Sequence, residues 1–434
     1  AVLRRQLPEN LDDGSPEQRQ LRLSAARKVI QRLRRERPDG TQMSHSRTLP
    51  KLPCVARLAE AFCNAIDSSQ TGSIEREVIG WKETVKIIEG GWLTTEGLED
   101  DTLVRDLDRV LNATCAAHTV GISRELNLES LRSHLNENTD LLFTLDGPLS
   151  SAPLEQLLIA GSPLCHQVRS ITAVLSTSLA VTEPLNRENA AGRPPVNELF
   201  AVVWEAHQQR SEYDGLNGLH AGLHQLCRTP NEKAGRWSCC SAVDNPRADN
   251  STIQATLADR PFPIIAIGGH GLVGHHRNGA LSRKSRIQVA PTHPESAGSG
   301  VWEGDGDLRG NEALILCACL VGRLFDDYDD GIRGLFTETL VAGGRVFMGA
   351  RWTVHSDYSA IFCLKVVEQL MESLNDRSKS KQLSPFRVAR VVNQVRRELL
   401  REMPGAAHAI SAFTCFGLSG LPVKATAGVK NRNL

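Results

Sequence analysis

Aromatic side chains are scarce in this chain of 434 residues, because Phe, Trp and Tyr together make up only 5% of it. Charge of one sign is lacking too, since 50 Lys and Arg balance 50 Asp and Glu. A net charge of zero provides no global field toward nucleic acid, anionic membranes or acidic substrates. Any such preference therefore has to come from a local patch.

Long apolar runs are also missing. The longest, such as ALILCACLVG at residues 313–322, have about half of the roughly 20 residues that a membrane-spanning helix needs. The opening Ala-Val-Leu-Arg-Arg-Gln lacks the apolar stretch of a secretory signal. The 11 cysteines show no repeating spacing, which favours thiols over a disulfide framework. We therefore expect a cytoplasmic protein without membrane association, whose apolar runs are buried strands.

The first part of the sequence has helical patterning instead. Ser15 to Gln18 form a capping box, and apolar residues then recur at helical spacing. The first fifty residues hold eleven Lys and Arg against six Asp and Glu, which makes this helix the one basic patch. Such a face contacts an acidic partner or nucleic acid in some proteins, but it is also typical of a solvated helix, and no aromatics interleave for base stacking. Further helices are predicted at residues 54–68, 74–88, 98–118 and 123–137. Residues 1–136 are thus expected to form a helical N-terminal domain.

From about Asp140 the pattern changes to short apolar and β-branched runs that alternate with helical stretches. Strands are predicted at residues 141–146, 170–175, 199–204, 263–268, 313–318, 345–350 and 412–417. Helices are predicted at residues 153–159, 213–226, 332–341, 358–374 and 385–401. This alternation predicts an α/β fold with a mostly parallel sheet sandwiched by helices. We expect it over residues 137–425, followed by a tail at residues 426–434.

The run Gly269-His270-Gly271-Leu272-Val273-Gly274 matches the glycine-rich fingerprint of dinucleotide-binding folds, directly after a predicted strand. That fingerprint needs a helix opening at the third glycine and an acidic strand end about 20 residues later. Here residues 275–279 are typical of a turn and no such acid follows, so nucleotide binding is not favoured. We expect His270 at the carboxyl end of a buried strand, where open α/β sheets place their ligands.

A second predicted strand delivers Cys319 at its own carboxyl end, 49 residues after His270. A thiol is mostly protonated at neutral pH, and a neighbouring imidazole can take its proton and raise the thiolate fraction. Cys319 and His270 are therefore predicted to be nucleophile and base, although buried cysteines and turn histidines are common without catalysis. Cys317 shares a strand face with Cys319 and is interpreted as a core residue.

The order of motifs from about Leu141 to Pro422 resembles the CHAT proteases, caspase-like cysteine peptidases related to separases and found in bacterial defence and signalling. The matching segments are LLFTLDGPLSSAPLEQLL, IIAIGGHG, ALILCACLVG, LFTETLVAGGRVFMGARWTVHSDYSA and AISAFTCFGLSG. The resemblance places the catalytic cysteine on Cys319 and the catalytic histidine on His270, in agreement with the residue-based prediction. Cys317 departs from the family, which usually has serine there.

The resemblance implies amide hydrolysis through a thioester, with the backbone N–H groups of Gly271 and Cys319 as an oxyanion hole. It implies neither a metal nor a cofactor. It also places Arg351 and Trp352 after a strand that lines the substrate groove, where an extended peptide adds as a further strand. Trp352 is equally well interpreted as a core aromatic. Asp146, at the end of the first predicted strand, is a candidate acid for a P1 pocket that takes a basic residue.

The family further implies a regulated endopeptidase with a specific protein substrate, activated by a protein or ligand at the N-terminal domain. Some members act on a neighbouring effector, such as a gasdermin-like pore-former or a pro-protein. Residues 279–310 are predicted to lack structure of their own, and self-cleavage near Arg283, Lys284 and Arg286 is a further hypothesis. The competing interpretation is a catalytically silent module of the same fold that binds peptides or serves as an adaptor.

A metal site is the remaining alternative. His220, His224 and Cys227 share one face of a predicted helix, and Cys239 and Cys240 follow within 13 residues. Imidazole and thiolate groups are the ligands that tetrahedral zinc prefers. Structural zinc is not favoured, because the chain has no Cys-x-x-Cys pair and adjacent strand residues point to opposite faces.

Overall fold

A computed structural model gives the fold. It describes residues 77–78, 81, 118–144, 152–174, 197–203, 214–228, 237–241, 250–259, 261–275, 281–289, 301–304, 306–322, 325–327, 331–352, 354, 356–375, 385–403 and 406–417. Five predicted segments lie wholly or mostly outside these residues: the basic helix, the helix at residues 54–68, the helices at residues 74–88 and 98–118, and the tail. Among the described helices, none is both long and apolar enough to cross a bilayer.

The described strands and helices follow one another along the α/β part of the chain. The strands are β1 Asp140–Thr144, β2 Leu158–Ile159, β3 Ser162–Pro163, β4 Ser170–Val174, β5 Glu198–Val203, β6 Ser238–Ser241, β7 Ile264–Gly268, β8 His270–His275, β9 Leu281–Gln288, β10 Val301–Trp302, β11 Ala313–Cys317, β12 Phe325–Asp327, β13 Gly331–Arg333, β14 Val346–Ala350 and β15 Phe413–Gly417. The α-helices are α1 Leu164–Gln167, α2 Asp214–Arg228, α3 Asn250–Asp259, α4 Leu335–Val341, α5 Ser356–Asn375, α6 Pro385–Glu402 and α7 Ala407–Ala412.

Eight strands form the central sheet, in the order β1-β4-β15-β14-β11-β7-β5-β6. Six of its seven pairings are parallel, and β14 with β15 is the antiparallel one. The reversal makes β15, β4 and β1 run against the other five strands. One edge of the sheet therefore collects the carboxyl ends of β7, β11 and β14 together with the amino ends of β15, β4 and β1.

The inner strands of the sheet are buried on both faces, which explains why they are near-continuous apolar runs. In β7, Ile264 and Ala266 belong to the hydrophobic cluster that contains Leu219 of α2 and residues of α5 and α6. The alternate residues of β7 belong to a second cluster, which contains Leu257 of α3 and residues of α4. Each fully buried Ile or Leu contributes about 1.5–3 kcal/mol. The predicted α/β fold, with a mostly parallel sheet between helices, is confirmed.

All seven predicted strands are present within two residues of their predicted ends, and the structure adds β6 to the sheet. The sequence of β6, SCCS, has no β-branched residue and so carried no strand signal. Of the turn expected at residues 275–279, only His275 is among the described residues, and it belongs to β8. β8 continues to His275 and pairs with β9, so a β-hairpin occupies the position at which a dinucleotide fold needs a helix.

Three further predictions are wrong in part. The expected helix at residues 153–159 is a single 3-10 turn, Leu154–Gln156, followed by β2. Residues 118–125 are helical across the predicted break, and a 3-10 helix at Leu128–His134 follows Asn127, whose positive φ of 50° ends the first helix. Residues 279–310 are not a loop throughout, because they contain β9 and β10.

The described residues from the predicted N-terminal domain pack into the cores of the α/β part. Trp81 belongs to the first hydrophobic cluster, and Val78, Ile122 and Leu128 belong to the second. Glu77 and His118 are also buried, and they contact each other through an ion pair or hydrogen bond of 3.0 Å between Oε2 and Nδ1. The boundary at residue 136 stays a prediction, but these contacts cross it.

Candidate active site

β7 and β11 are neighbouring parallel strands, and every residue of both is buried. Their register places Gly268 beside Cys317, and the Gly269 N–H donates to the Cys317 carbonyl at 3.2 Å. His270 follows β7 by two residues, and Cys319 follows β11 by two residues. The two predicted catalytic residues thus leave the sheet side by side at the same edge, and both are half-buried.

Gly271 brings the two chain segments into direct contact. A Cβ atom at Gly271 would lie 1.5 Å from the Cys319 carbonyl oxygen, which no side chain can tolerate. A Cβ atom at Gly269 would likewise lie 2.2 Å from the Gln288 carbonyl oxygen of β9. Both glycines that flank His270 are therefore required by the close approach of backbone on either side.

The turn after Cys319 is fixed by the segment that follows β14. Leu320 adopts a positive φ of 62°, which is uncommon for a residue with a branched side chain. Its N–H donates to the Trp352 carbonyl at 3.4 Å, and the Gly322 N–H donates to the Ala350 carbonyl at 2.8 Å. These bonds hold the turn that carries Cys319 against the carboxyl end of a third parallel strand, β14.

Val354 meets the Cys319 sulfur with its backbone. The Val354 N–H lies 3.5 Å from Sγ, and the Val354 carbonyl oxygen lies 3.6 Å from it. The N–H can donate to a thiolate, while the carbonyl can accept from a thiol, so the same residue can contact both protonation states. Sequence reasoning missed Val354, because a backbone contact across 35 residues leaves no side-chain signature.

Arg351 does not line an open groove in this structure. Its side chain is 1% exposed and donates to Glu155 Oε2 at 2.9 Å and to the Ala152 carbonyl. Burial lowers the pKa of Arg351, and the Glu155 carboxylate opposes that shift. Thr414 donates to the other oxygen of Glu155 at 2.7 Å. The Arg351 guanidinium is thus buried and bonded inside the protein. In this structure it is not accessible to a substrate, contrary to its predicted role in the groove.

Trp352 is 4% exposed and belongs to the first hydrophobic cluster. Its ring packs edge to face on Trp81, with 5.5 Å between centroids and 74° between planes. The Arg351 guanidinium carbon lies 5.3 Å from the Trp352 ring centroid. Of the two interpretations of Trp352, the structure favours the core aromatic. Trp81 and Glu155 were not predicted, because nothing local in the sequence pairs them with partners so distant.

Asp146 lies outside the described residues. The strand that precedes it, β1, is described: it occupies the outer position in the sheet and runs against β11. Its carboxyl end at Thr144 therefore lies at the edge opposite to the one where β11 ends. Asp146 was proposed as a P1-pocket acid because it ends the first predicted strand, and this topology does not support that reasoning.

Cys317 is 3% exposed and belongs to the first hydrophobic cluster, as its core interpretation requires. Its thiol is hydrogen-bonded to Cys363 of α5, which is 1% exposed. Burial raises the pKa of Cys363 well above its usual value, and the contact with Cys317 raises it further. The Cys363 thiol is thus kept protonated.

The alternative metal site was also tested. Within the described parts of the chain, no group of three or more His, Cys, Asp and Glu side chains is arranged to hold a metal ion. His220 and His224 instead contact each other, with 4.5 Å between ring centroids.

Comparisons with known proteins add little to this geometry. No protein-family model and no curated protein matches the sequence. A solved structure of the complex of Porphyromonas gingivalis RgpB pro- and mature domains is similar over 57% of this chain, at 13% identity and a TM-score of 0.31. The alignment covers 55% of that chain, about half of its length. A likeness this weak carries no inference about function.

Proposed function

We propose that the protein is a caspase-like cysteine endopeptidase that cleaves a specific protein substrate through Cys319 and His270. The observation that carries the proposal is the backbone contact between Gly271 and Cys319, which joins the two strand ends bearing a thiol and an imidazole. The carboxyl edge of parallel strands is also where open α/β sheets place their chemistry.

In this mechanism His270 accepts the Cys319 proton, and the thiolate attacks the scissile carbonyl carbon. The N–H groups of Gly271 and Cys319 stabilise the oxyanion, and the Val354 N–H stabilises the thiolate before attack. Collapse of the tetrahedral intermediate forms a thioester and expels the amine, which takes the proton from His270. Water then adds to the thioester with His270 as base, and the acid leaves as Sγ regains its proton.

Regulation is part of the proposal. The sequence motifs support a switchable peptidase of bacterial defence or signalling, with an activating protein or ligand acting through the N-terminal region. The packing of Trp81 on Trp352 supports such a route, since the Trp352 carbonyl holds the turn after Cys319. Self-cleavage within β9 would require that strand to leave its pairing with β8. It would also require Arg286 to separate from Glu303, with which it forms an ion pair at 3.1 Å.

A proteome-derived peptide library tests the proposal, with wild type compared with Cys319→Ala and His270→Ala. We expect cleavage by wild type, which reveals the P1 residue, and none by either variant. Cys317→Ala is the matched control and should keep its activity, because the Cys317 thiol is buried and hydrogen-bonded to Cys363. Cleavage that survives in both active-site variants would overturn the assignment. If wild type cleaves no peptide even with candidate activators present, the result would favour a catalytically silent binding module.

A further inference from the structure

Two thiols lie together at the end of the sheet remote from β1. Cys227 is in the last turn of α2, and Cys239 is in β6, the outer strand on that side. Both side chains are half-buried and pack on the first hydrophobic cluster, whereas Cys240 packs on the second. The alternation of strand faces thus aims Cys239, and not its neighbour, at α2.

The two thiols are hydrogen-bonded to each other. The hydrogen bond from Cys239 lowers the pKa of Cys227, and partial burial opposes this shift. The thiolate is the form that attacks in disulfide exchange, so the lowered pKa of Cys227 suits it to be the attacking thiol. The hydrogen bond places the two sulfurs side by side, and a disulfide requires them to approach to about 2.05 Å.

We propose that Cys227 and Cys239 form a redox site, which a low-molecular-weight disulfide such as glutathione disulfide converts into a Cys227–Cys239 cystine. The Cys227 thiolate attacks the glutathione disulfide, forms a mixed disulfide and releases one glutathione thiolate. The Cys239 thiolate then attacks Cys227 Sγ and releases the second. The protein dithiol loses two electrons, the glutathione disulfide gains them, and the two thiol protons end on glutathione.

The cross-link would anchor a helix that lies close to the candidate active site. A Cβ atom at Gly268, two residues before His270, would lie 3.1 Å from a methyl carbon of Leu219 and 3.4 Å from one of Leu216. Both leucines belong to α2. Oxidation would therefore fix the far end of the helix that covers the strand carrying His270. The redox site itself does not depend on the proposed peptidase activity.

Peptide mapping of the full-length protein tests this inference. The folded protein is incubated with glutathione disulfide, its remaining thiols are alkylated, and tryptic peptides are identified by mass spectrometry. Arg228, Lys233 and Arg236 lie between the two cysteines, so the cystine appears as two linked peptides. We expect this species in wild type and in Cys240→Ser, its loss in Cys227→Ser and in Cys239→Ser, and its reversal by dithiothreitol.

The buried pair Cys317 and Cys363 is an internal control. Its thiols are also hydrogen-bonded but are only 3% and 1% exposed, so they should stay reduced while the protein is folded. The cystine should also raise the melting temperature by about 5 °C, because it closes a short loop in the unfolded chain. Persistence of the link in Cys239→Ser, or glutathionylation of Cys227 without a link in wild type, would overturn the proposal.

Discussion

A single methyl group separates glycine from alanine, and at Gly271 the backbone has no room for it. A Cβ atom there would overlap the Cys319 carbonyl oxygen at 1.5 Å, so Gly271→Ala must push apart the segments that carry His270 and Cys319. In the proposed mechanism these segments hold the reacting groups, and a misplacement of about 1 Å between reacting groups costs about 100-fold in rate. We expect kcat/KM for a library-derived peptide to fall by at least that factor.

Gly218→Ala is the matched control for that substitution. An added Cβ at Gly218 of α2 meets no atom within 4 Å, and alanine in a helix is more stable than glycine by about 0.5–1 kcal/mol. This variant should unfold at slightly higher urea concentration with kcat/KM unchanged. Unchanged kcat/KM in Gly271→Ala would mean that the two strand ends do not act together.

Among the described residues, Glu155 is the carboxylate found with the guanidiniums of Arg351 and Arg396 in a buried group. It contacts Arg351 at 2.9 Å, and Arg396 lies 3.8 Å from its other oxygen. Glu155→Gln leaves buried positive charge uncompensated, so we expect a loss of about 3–5 kcal/mol in the free energy of unfolding. Urea denaturation measures this loss. The control is Glu402→Gln, which removes the charge of an exposed ion pair with Lys365 and should lower the free energy of unfolding by at most about 1 kcal/mol. Equal losses in the two variants would show that the buried charges around Glu155 do not depend on its carboxylate.

The segment after β14 contacts three separate parts of the protein. Arg351 forms an ion pair with Glu155, and the Trp352 ring packs on Trp81. The Val354 backbone contacts Cys319 Sγ. One short stretch of chain thus connects Glu155 and Trp81 with the turn that carries Cys319. The length of this segment was predictable from the sequence, but its partners were not.

Asp140 ties three elements together at the amino end of β1. It accepts hydrogen bonds from Arg169 beside β4, from Ser170 of β4 and from Arg390 of α6. Partial burial raises the pKa of Asp140, but these hydrogen bonds outweigh it and lower the pKa well below the ordinary 3.8. The carboxylate therefore stabilises the folded state above that ordinary value, and this contribution is lost as the pH falls from there toward the folded-state pKa.

Asp140→Asn should accordingly be less stable than wild type at neutral pH. The difference in the free energy of unfolding should persist down to about pH 4 and shrink below it, because the carboxyl of the unfolded wild-type chain then binds a proton while the folded carboxylate stays ionised. Urea denaturation across this pH range measures it. A difference that does not change with pH would show that the residue acts through packing rather than charge.

At the scale of the whole molecule, the sequence predicted the strands well, because a sheet buried on both faces needs apolar runs such as IIAIG and ALILC. It predicted which strand ends carry Cys319 and His270 for the same reason, while their catalytic roles stay predictions. It did not predict the reversal at β15 or the strand character of SCCS. Pairing direction and edge position depend on contacts between distant segments, and these leave no local pattern.

The boundary at residue 136 has a direct test at this scale. A truncated chain of residues 137–434 lacks Trp81, Ile122 and Leu128, whose side chains are at most 5% exposed in the full chain. Loss of a buried tryptophan alone costs about 3–5 kcal/mol. We expect this fragment to unfold at much lower urea concentration than the full chain, whereas equal midpoints would establish residues 137–434 as a domain.

The order of strands in the sheet has a consequence for a nicked molecule. A cut between β9 and β10 would divide the chain into one piece with β1, β4, β5, β6 and β7 and another with β11, β14 and β15. In the sheet the second piece is inserted between strands of the first, with β4 on one side and β7 on the other. Neither piece can complete the sheet alone, so the two halves would remain one particle, with His270 on one polypeptide and Cys319 on the other.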